Sequence, residues 1–251
     1  MTKAVVVYTA LFGGYDTLQE PVFSSECDFV CFTDDPSLTS RRWNITRVEP
    51  SMDPAMMNRH IKIHPHTYLA EYPVSIYVDA NLEMRRDPSD LVRTYLADAT
   101  LAAPQHPKRN CVYEEIQECV STGKIDAGAA RAQTARYRAE GYPARNGLTE
   151  NRVLIRRHND PAVKSLMEAW WAELLSGVPR DQICLPVVCW RQGFTIRHMT
   201  ESTVYGSYFL YRPHRRERFT VRMKIHTLIL LMRLRRRVHR DDEDKAARTV
   251  A

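Results

Sequence analysis

Ile76-Tyr77-Val78-Asp79-Ala80-Asn81 is the stretch on which the fold turns. Its first three residues form a short apolar, β-branched and aromatic run that predicts a buried strand. The run ends at a carboxylate, and an amide follows two residues later. An acid leaving the carboxyl end of a central strand sits where open α/β sheets bind ligands. Asp79 and Asn81 offer hard oxygens of the type that suits Mg²⁺ or Mn²⁺ carrying a phosphate-bearing substrate. The alternative is a strand closed by an Asx turn.

Outward from this point, strand-like and helix-like segments alternate, the pattern of an α/β sheet. Strands are predicted at Ala4 to Thr9, Asp28 to Thr33, Asn44 to Val48, Val74 to Val78, Thr100 to Ala103, Arg152 to Arg157 and Phe194 to His198. Helices are predicted from Pro54 to about His64, after Asp87-Pro88, near 111–122 and 126–140, from Asp160-Pro161 to Gly177, and from Arg180 to Arg191 despite Pro186. Asp before Pro marks helix starts, and Gly123, Gly141, Gly177 and Gly193 mark ends. Val163, Leu166, Met167, Trp170, Trp171 and Leu174 recur at helical spacing, which assigns them to the core.

A chain of 251 residues can bury a sizeable core. No apolar run reaches 18 residues, and the start is too short for a signal h-region, so a cytoplasmic location is expected. Six cysteines form no CxxC pair and read as buried thiols of a reducing compartment. The net charge of +6 is unevenly held: residues 212–251 carry 13 Lys and Arg against 5 acids, leaving 1–211 slightly acidic. The expected organisation is therefore a body at 1–211, a basic amphipathic helical extension at 212–240 and a disordered tail at 241–251. Arg-rich sequence around Leu228-Ile229-Leu230-Leu231-Met232 suits an anionic membrane face or docking on the body. Nucleic acid is a weaker fit, because the positive charge is not interleaved with aromatics.

Further groups could carry chemistry. Arg59 and Lys62 lie three apart on a helix and could meet a pyrophosphate together, or form a solvated basic face. His60 and His64 are four apart, but Pro65 ends the helix and no HExxH pattern completes a zinc site. Arg180-Asp181-Gln182 opens a helix, where the acid complements the dipole or holds a substrate hydroxyl. His106-Pro107-Lys108-Arg109 precedes Glu114-Glu115, which are helix N-terminal acids or acceptor contacts. His198 offers an imidazole as a third ligand beside two oxygens.

In this order, Phe12-Gly13-Gly14-Tyr15-Asp16, Arg59/Lys62 with Pro65-His66, Ser75 to Asn81, His106-Pro107 with Tyr113-Glu114-Glu115, and Arg180-Asp181-Gln182 resemble the glycosyltransferase-like domain family of the plant mucilage-related hexosyltransferase-like proteins. The resemblance implies a GT-A-like, Rossmann-type mixed sheet flanked by helices that binds a nucleotide-sugar donor. It places Asp79-Ala80-Asn81 at the metal-binding DxD position, with Asn81 where a second Asp is usual. It further implies Mn²⁺ or Mg²⁺ on Asp79 and Asn81, beside which His198 is assigned as the third ligand from its residue type alone. Tyr8, Thr9, Gly13, Gly14, Tyr15 and Asp16 would hold base and ribose, with Arg59, Lys62 and His66 at the diphosphate. Arg180, Asp181 and Gln182 would face the donor sugar or the hydroxyl of a glycan or lipid-linked acceptor. Asp181 as a general base would give inversion; as a positioning group, retention, which the resemblance favours. Nucleotidyl transfer and nucleotide-sugar hydrolysis would use the same metal–diphosphate site.

Overall fold

The computed structural model describes residues 3–214, and beyond them Met223, Thr227, Leu230 and Leu231, each helical and exposed. The expectations for the rest of 212–240 and for 241–251 lie outside the described residues. Nine strands and seven helices occur among the described residues: β1 (Val5–Leu11), β2 (Asp28–Thr33), β3 (Asn44–Arg47), α1 (Pro54–Ile63), α2 (Pro65–Tyr68), β4 (Val74–Val78), β5 (Leu82–Met84), α3 (Ser89–Tyr95), β6 (Leu101–Pro104), α4 (Val112–Ser121), α5 (Ala127–Ala139), β7 (Val153–Arg156), α6 (Pro161–Ser176), α7 (Asp181–Gln192), β8 (Arg197–Met199) and β9 (Phe209–Tyr211).

Seven strands form one mixed sheet in the order β3-β2-β1-β4-β7-β6-β8, and β5 pairs with β9 in a separate two-stranded sheet. β1 runs parallel to β2 and β4, whereas β7 is antiparallel to both β4 and β6. β4 is buried along its whole length, as a central strand covered on both faces must be. On one face, Tyr8, Tyr77 and Leu154 pack under α1, α6 and α7 through Ile61, Trp170 and Leu185. On the other, Val7, Ile76, Val153 and Ile155 pack against Leu91 and Leu96 at α3. This is the mixed sheet flanked by helices expected of the chain.

The local signals act as predicted. Asp53 and Asp160 accept backbone N–H groups at the starts of α1 and α6, each followed by proline. α3 starts one residue later than predicted, with Pro88 at the cap position, and Asp87, two residues before the helix, accepts the Ser89 N–H at 2.9 Å. Pro186 lies inside α7, which Gly193 ends in the left-handed conformation. All six cysteines are buried and free. β1 reaches Leu11, two residues past its predicted end, because Ala10 and Leu11 continue the apolar run. The predicted strand at Phe194 to His198 shrinks to Arg197–Met199, and it is not the last: β9 follows. No helix among the described residues is long and apolar enough to cross a membrane.

Candidate active site

Lys62 organises the group of charged side chains at the carboxyl end of β4. It lies in the last turn of α1 with its side chain buried, and its Nζ stands 2.7 Å from Asp181 Oδ2 and 3.9 Å from Asp79 Oδ1. The ammonium also lies 5.0 Å from the centre of the Tyr77 ring. Tyr77 and Asp79 are two apart on a strand and share a face, so the Tyr77 hydroxyl donates to Asp79 Oδ1 at 2.8 Å.

One lysine thus divides two acids. Burial alone would raise the Asp181 carboxyl, but Lys62, with Arg59 and Arg180, holds it well below the usual carboxylate range. For Asp79, burial prevails over the more distant Lys62, the Tyr77 hydroxyl and Arg152, and its carboxyl is raised. The Asp79 side chain keeps 31% of its surface exposed, so water moderates this effect.

Asn81 is buried beneath a strap that the β5–β9 pairing brings over the turn. Its Nδ2 donates to the Arg212 carbonyl at 2.9 Å, and its backbone carbonyl accepts the Arg212 N–H at 2.9 Å. Donation to Arg212 fixes the amide orientation, leaving Asn81 Oδ1 buried with no hydrogen-bond partner. His214 Nδ1 meets Asp16 at 2.9 and 3.0 Å, and its ring lies 5.0 Å from that of Tyr15. Arg212 pairs with Glu83. Residues 212–214 therefore pack on the body rather than starting the extension.

The described residues contain no cluster of three His, Cys, Asp or Glu side chains able to hold a metal ion. The orphaned Asn81 oxygen, two residues on from Asp79, is nonetheless a hard donor of the kind that suits Mg²⁺ or Mn²⁺. Such ions take one or two protein oxygens and complete their shell from phosphate and water.

The structure thus brings Lys62, Asp79 and Asp181 together, with Asn81, two residues on from Asp79, held by Arg212. Arg59 and Arg180 are close enough for their charges to act on Asp181. Gln182 turns aside, its Nε2 donating to the Thr149 carbonyl at 3.0 Å. Gly13 and Gly14 form a left-handed turn with φ of 65° and 59°. A Cβ on Gly13 would come within 2.8 Å of Pro54, so this glycine lets the loop meet the start of α1. Its N–H donates to the Asp34 carboxylate at 3.0 Å.

Four assignments need correction. Tyr8 and Thr9 are fully buried inside β1 and cannot line a loop for base and ribose. His66 meets Glu168 at 2.9 Å near the amino end of β4, the end opposite Asp79. His198 lies on edge strand β8, three strands from β4, or about 14 Å at ordinary strand spacing. It lines a cleft with Asp98, Arg157 and Phe194 instead of joining Asp79. The His60–His64 pair stacks at 4.3 Å against Trp171 as packing. Glu115 is buried and bound by Arg109 at 2.7 Å, which accounts for it as structure.

Arg152 and Arg156 were not singled out by sequence reasoning. Asp79 N–H donates to the Arg152 carbonyl at 2.9 Å, so these residues continue the β4–β7 register. The Arg152 guanidinium lies 4.5 Å from the Tyr211 ring and 3.3 Å from Glu150.

A helix-flanked mixed sheet whose fourth strand opens onto paired acids and cations has the architecture of a glycosyltransferase-type domain. Residues 1–214 match the family model described as TOD1/MUCI70, glycosyltransferase-like domain, and the chain belongs to that family. Among solved structures it is similar to the apo form of the WbbM bifunctional glycosyltransferase, at 8% identity and a TM-score of 0.49 over 90% of this chain. It spans 44% of that chain. It is also similar to mouse xyloside xylosyltransferase 1 in its apo form, at 11% identity and a TM-score of 0.43, covering 79% of this chain and 85% of that one. No curated protein matches.

Proposed function

We propose that this protein transfers a hexose from a nucleoside-diphosphate sugar, with a UDP-sugar as the first donor to test, to a glycan or lipid-linked acceptor. The observation that carries this reading is the Lys62 ammonium set between Asp181 and Asp79 where β4 leaves the sheet. Transfer breaks the anomeric C–O bond through an oxocarbenium-like transition state and leaves negative charge on the diphosphate. Lys62, with Arg59 beside it, is already oriented to receive that charge, so little reorganisation is needed as the bond breaks. A divalent ion on Asp79 and Asn81 Oδ1 would supply further charge neutralisation at the diphosphate.

Asp181 is held so far into its ionised form that it is a weak proton acceptor at neutral pH. That favours Asp181 as an anion that holds a donor hydroxyl or steadies positive charge on the sugar ring, and hence retention over inversion. The basic segment 215–240 suits attraction to an anionic membrane face, which would bring a lipid-linked acceptor to the site. Co-sedimentation with anionic vesicles at low salt, lost on truncation after His214, is the expected result; equal binding by the truncated chain would remove this part.

The function is tested by thermal shift with a panel of nucleotide-sugars, with and without Mn²⁺, followed by product analysis. Selective stabilisation by one donor and sugar appearing on an acceptor are expected. Free sugar alone would point to hydrolysis, and no stabilisation by any donor would reject the reading.

A further inference from the structure

Arg156 is the most anomalous residue in the body. It lies in β7 with none of its surface exposed, and its charged-state neighbours are the Tyr8 and Tyr77 hydroxyls rather than acids. Its Nη2 donates to the Lys62 carbonyl at 2.8 Å and to the Tyr8 hydroxyl. Its Nη1 faces Met167 Sδ at 3.1 Å, and its Nε has no partner. Tyr8 itself donates to the same Lys62 carbonyl at 2.7 Å. A buried guanidinium without a counter-ion is expensive, and such departures from ordinary packing gather at functional sites.

We propose that Arg156, with Tyr8, is a positioning residue for Lys62, fixing the ammonium where it meets both carboxylates and the departing diphosphate. This rests on the transferase reading above. The Lys62 carbonyl belongs to the last turn of α1, where carbonyls lack helical partners and the helix dipole is negative. A guanidinium and a hydroxyl take up that carbonyl from the sheet below, so the end of α1 is pinned to β1 and β7. The Lys62 side chain then runs over the Tyr77 ring to the two carboxylates. Arg156 never touches substrate; it acts through the lysine.

The decisive variant is Arg156→Met. Methionine keeps an unbranched apolar stem while ending short of the guanidinium, so it cannot reach the Lys62 carbonyl, and it removes a buried charge, a change that is often neutral or favourable to stability. A purely structural arginine predicts a folded protein with ordinary kinetics. A positioning arginine predicts the same unfolding temperature or a higher one, with kcat reduced on the order of 100-fold, as a misplaced group does. Donor KM should change little. Lys62→Met in the Arg156→Met background should then add almost nothing, because the lysine is already out of place. Tyr8→Phe, which removes one donor to the same carbonyl, should lie between wild type and Arg156→Met, and it serves as the readout if Arg156→Met does not fold.

A folded Arg156→Met protein with wild-type kcat, or losses from Arg156→Met and Lys62→Met that simply multiply, overturns the proposal. If wild-type protein transfers no sugar at all, the transferase reading fails by itself. The pairing is then judged by the double-mutant cycle in thermal unfolding, where independence of the two substitutions rejects it.

Discussion

Replacing Lys62 with methionine isolates the feature on which the site depends. Lys62 meets Asp181 at 2.7 Å and Asp79 at 3.9 Å, and Asp181 is only 9% exposed. Removing one partner of a buried ion pair destabilises by about 3–5 kcal/mol. Arg59 and Arg180 still act on Asp181, and Asp79 is part-exposed and screened, so the lower end, about 3 kcal/mol, is expected. In a body of this size that lowers the unfolding midpoint by roughly 6–12 °C. The pH dependence is more specific than the size. In the wild type the folded Asp181 carboxyl lies below its unfolded value of about 3.9. Its stabilisation is therefore complete above that value and is lost only as pH falls through the folded one. Without Lys62, burial dominates and the folded value moves up, so ionised Asp181 weakens the native state as pH rises. The gap in midpoint between wild type and Lys62→Met should then widen from pH 4.5 to pH 8, conditions chosen for a scan by calorimetry or circular dichroism. A gap that stays constant or narrows would refute the electrostatic account of the site.

Three further outcomes follow from the geometry. Asp79→Ala should lower transfer on the order of 100- to 1,000-fold, the usual loss on removing one preorganised charge contact, and should abolish any Mn²⁺-dependent thermal shift; near-native transfer would end the assignment. His198→Ala should leave kcat and donor KM within about twofold of wild type, within the range of neutral changes away from a site, because β8 holds it three strands from β4; a large kcat loss in steady-state assays would return it to the centre. Gly13→Ala should destabilise by about 1–3 kcal/mol in denaturant unfolding, since φ is 65° and the new methyl would meet Pro54 at 2.8 Å; an unchanged midpoint would contradict that approach.

Much of this architecture was legible because its signals are local. Proline after aspartate marked α1 and α6, the apolar run up to Val78 marked the central strand, and Trp170 with its helical neighbours marked a packed face. Errors arose where a long-range partner decides. Tyr8 and Thr9 read as the edge of a loop because a strand's end depends on its partner, here β2, whose pairing carries β1 on to Leu11. His66 follows a basic helix, and periodicity gives the face of a residue but not which end of the sheet it occupies. β5 and β9 have three residues each, too short for any pattern, and they find one another across more than a hundred positions. Charged residues in a strand read as solvent-facing, so Arg156 gave no sign of its depth. Asp79 with Tyr77 was a signal within reach, since alternation alone puts the hydroxyl on the side of the acid.

The strap that crosses Asn81 also sets an order of assembly. Asn81 and Arg212 are 131 residues apart, and the hydrogen bonds between them close the acidic turn. During synthesis the sheet from β1 to β4 can form while the segment carrying β9 is still inside the ribosome. The turn then waits, uncovered, until the chain near Arg212 emerges and β9 lies down beside β5. Nascent chains halted before that point would own every strand of the main sheet and still leave the turn at Asn81 without its cover.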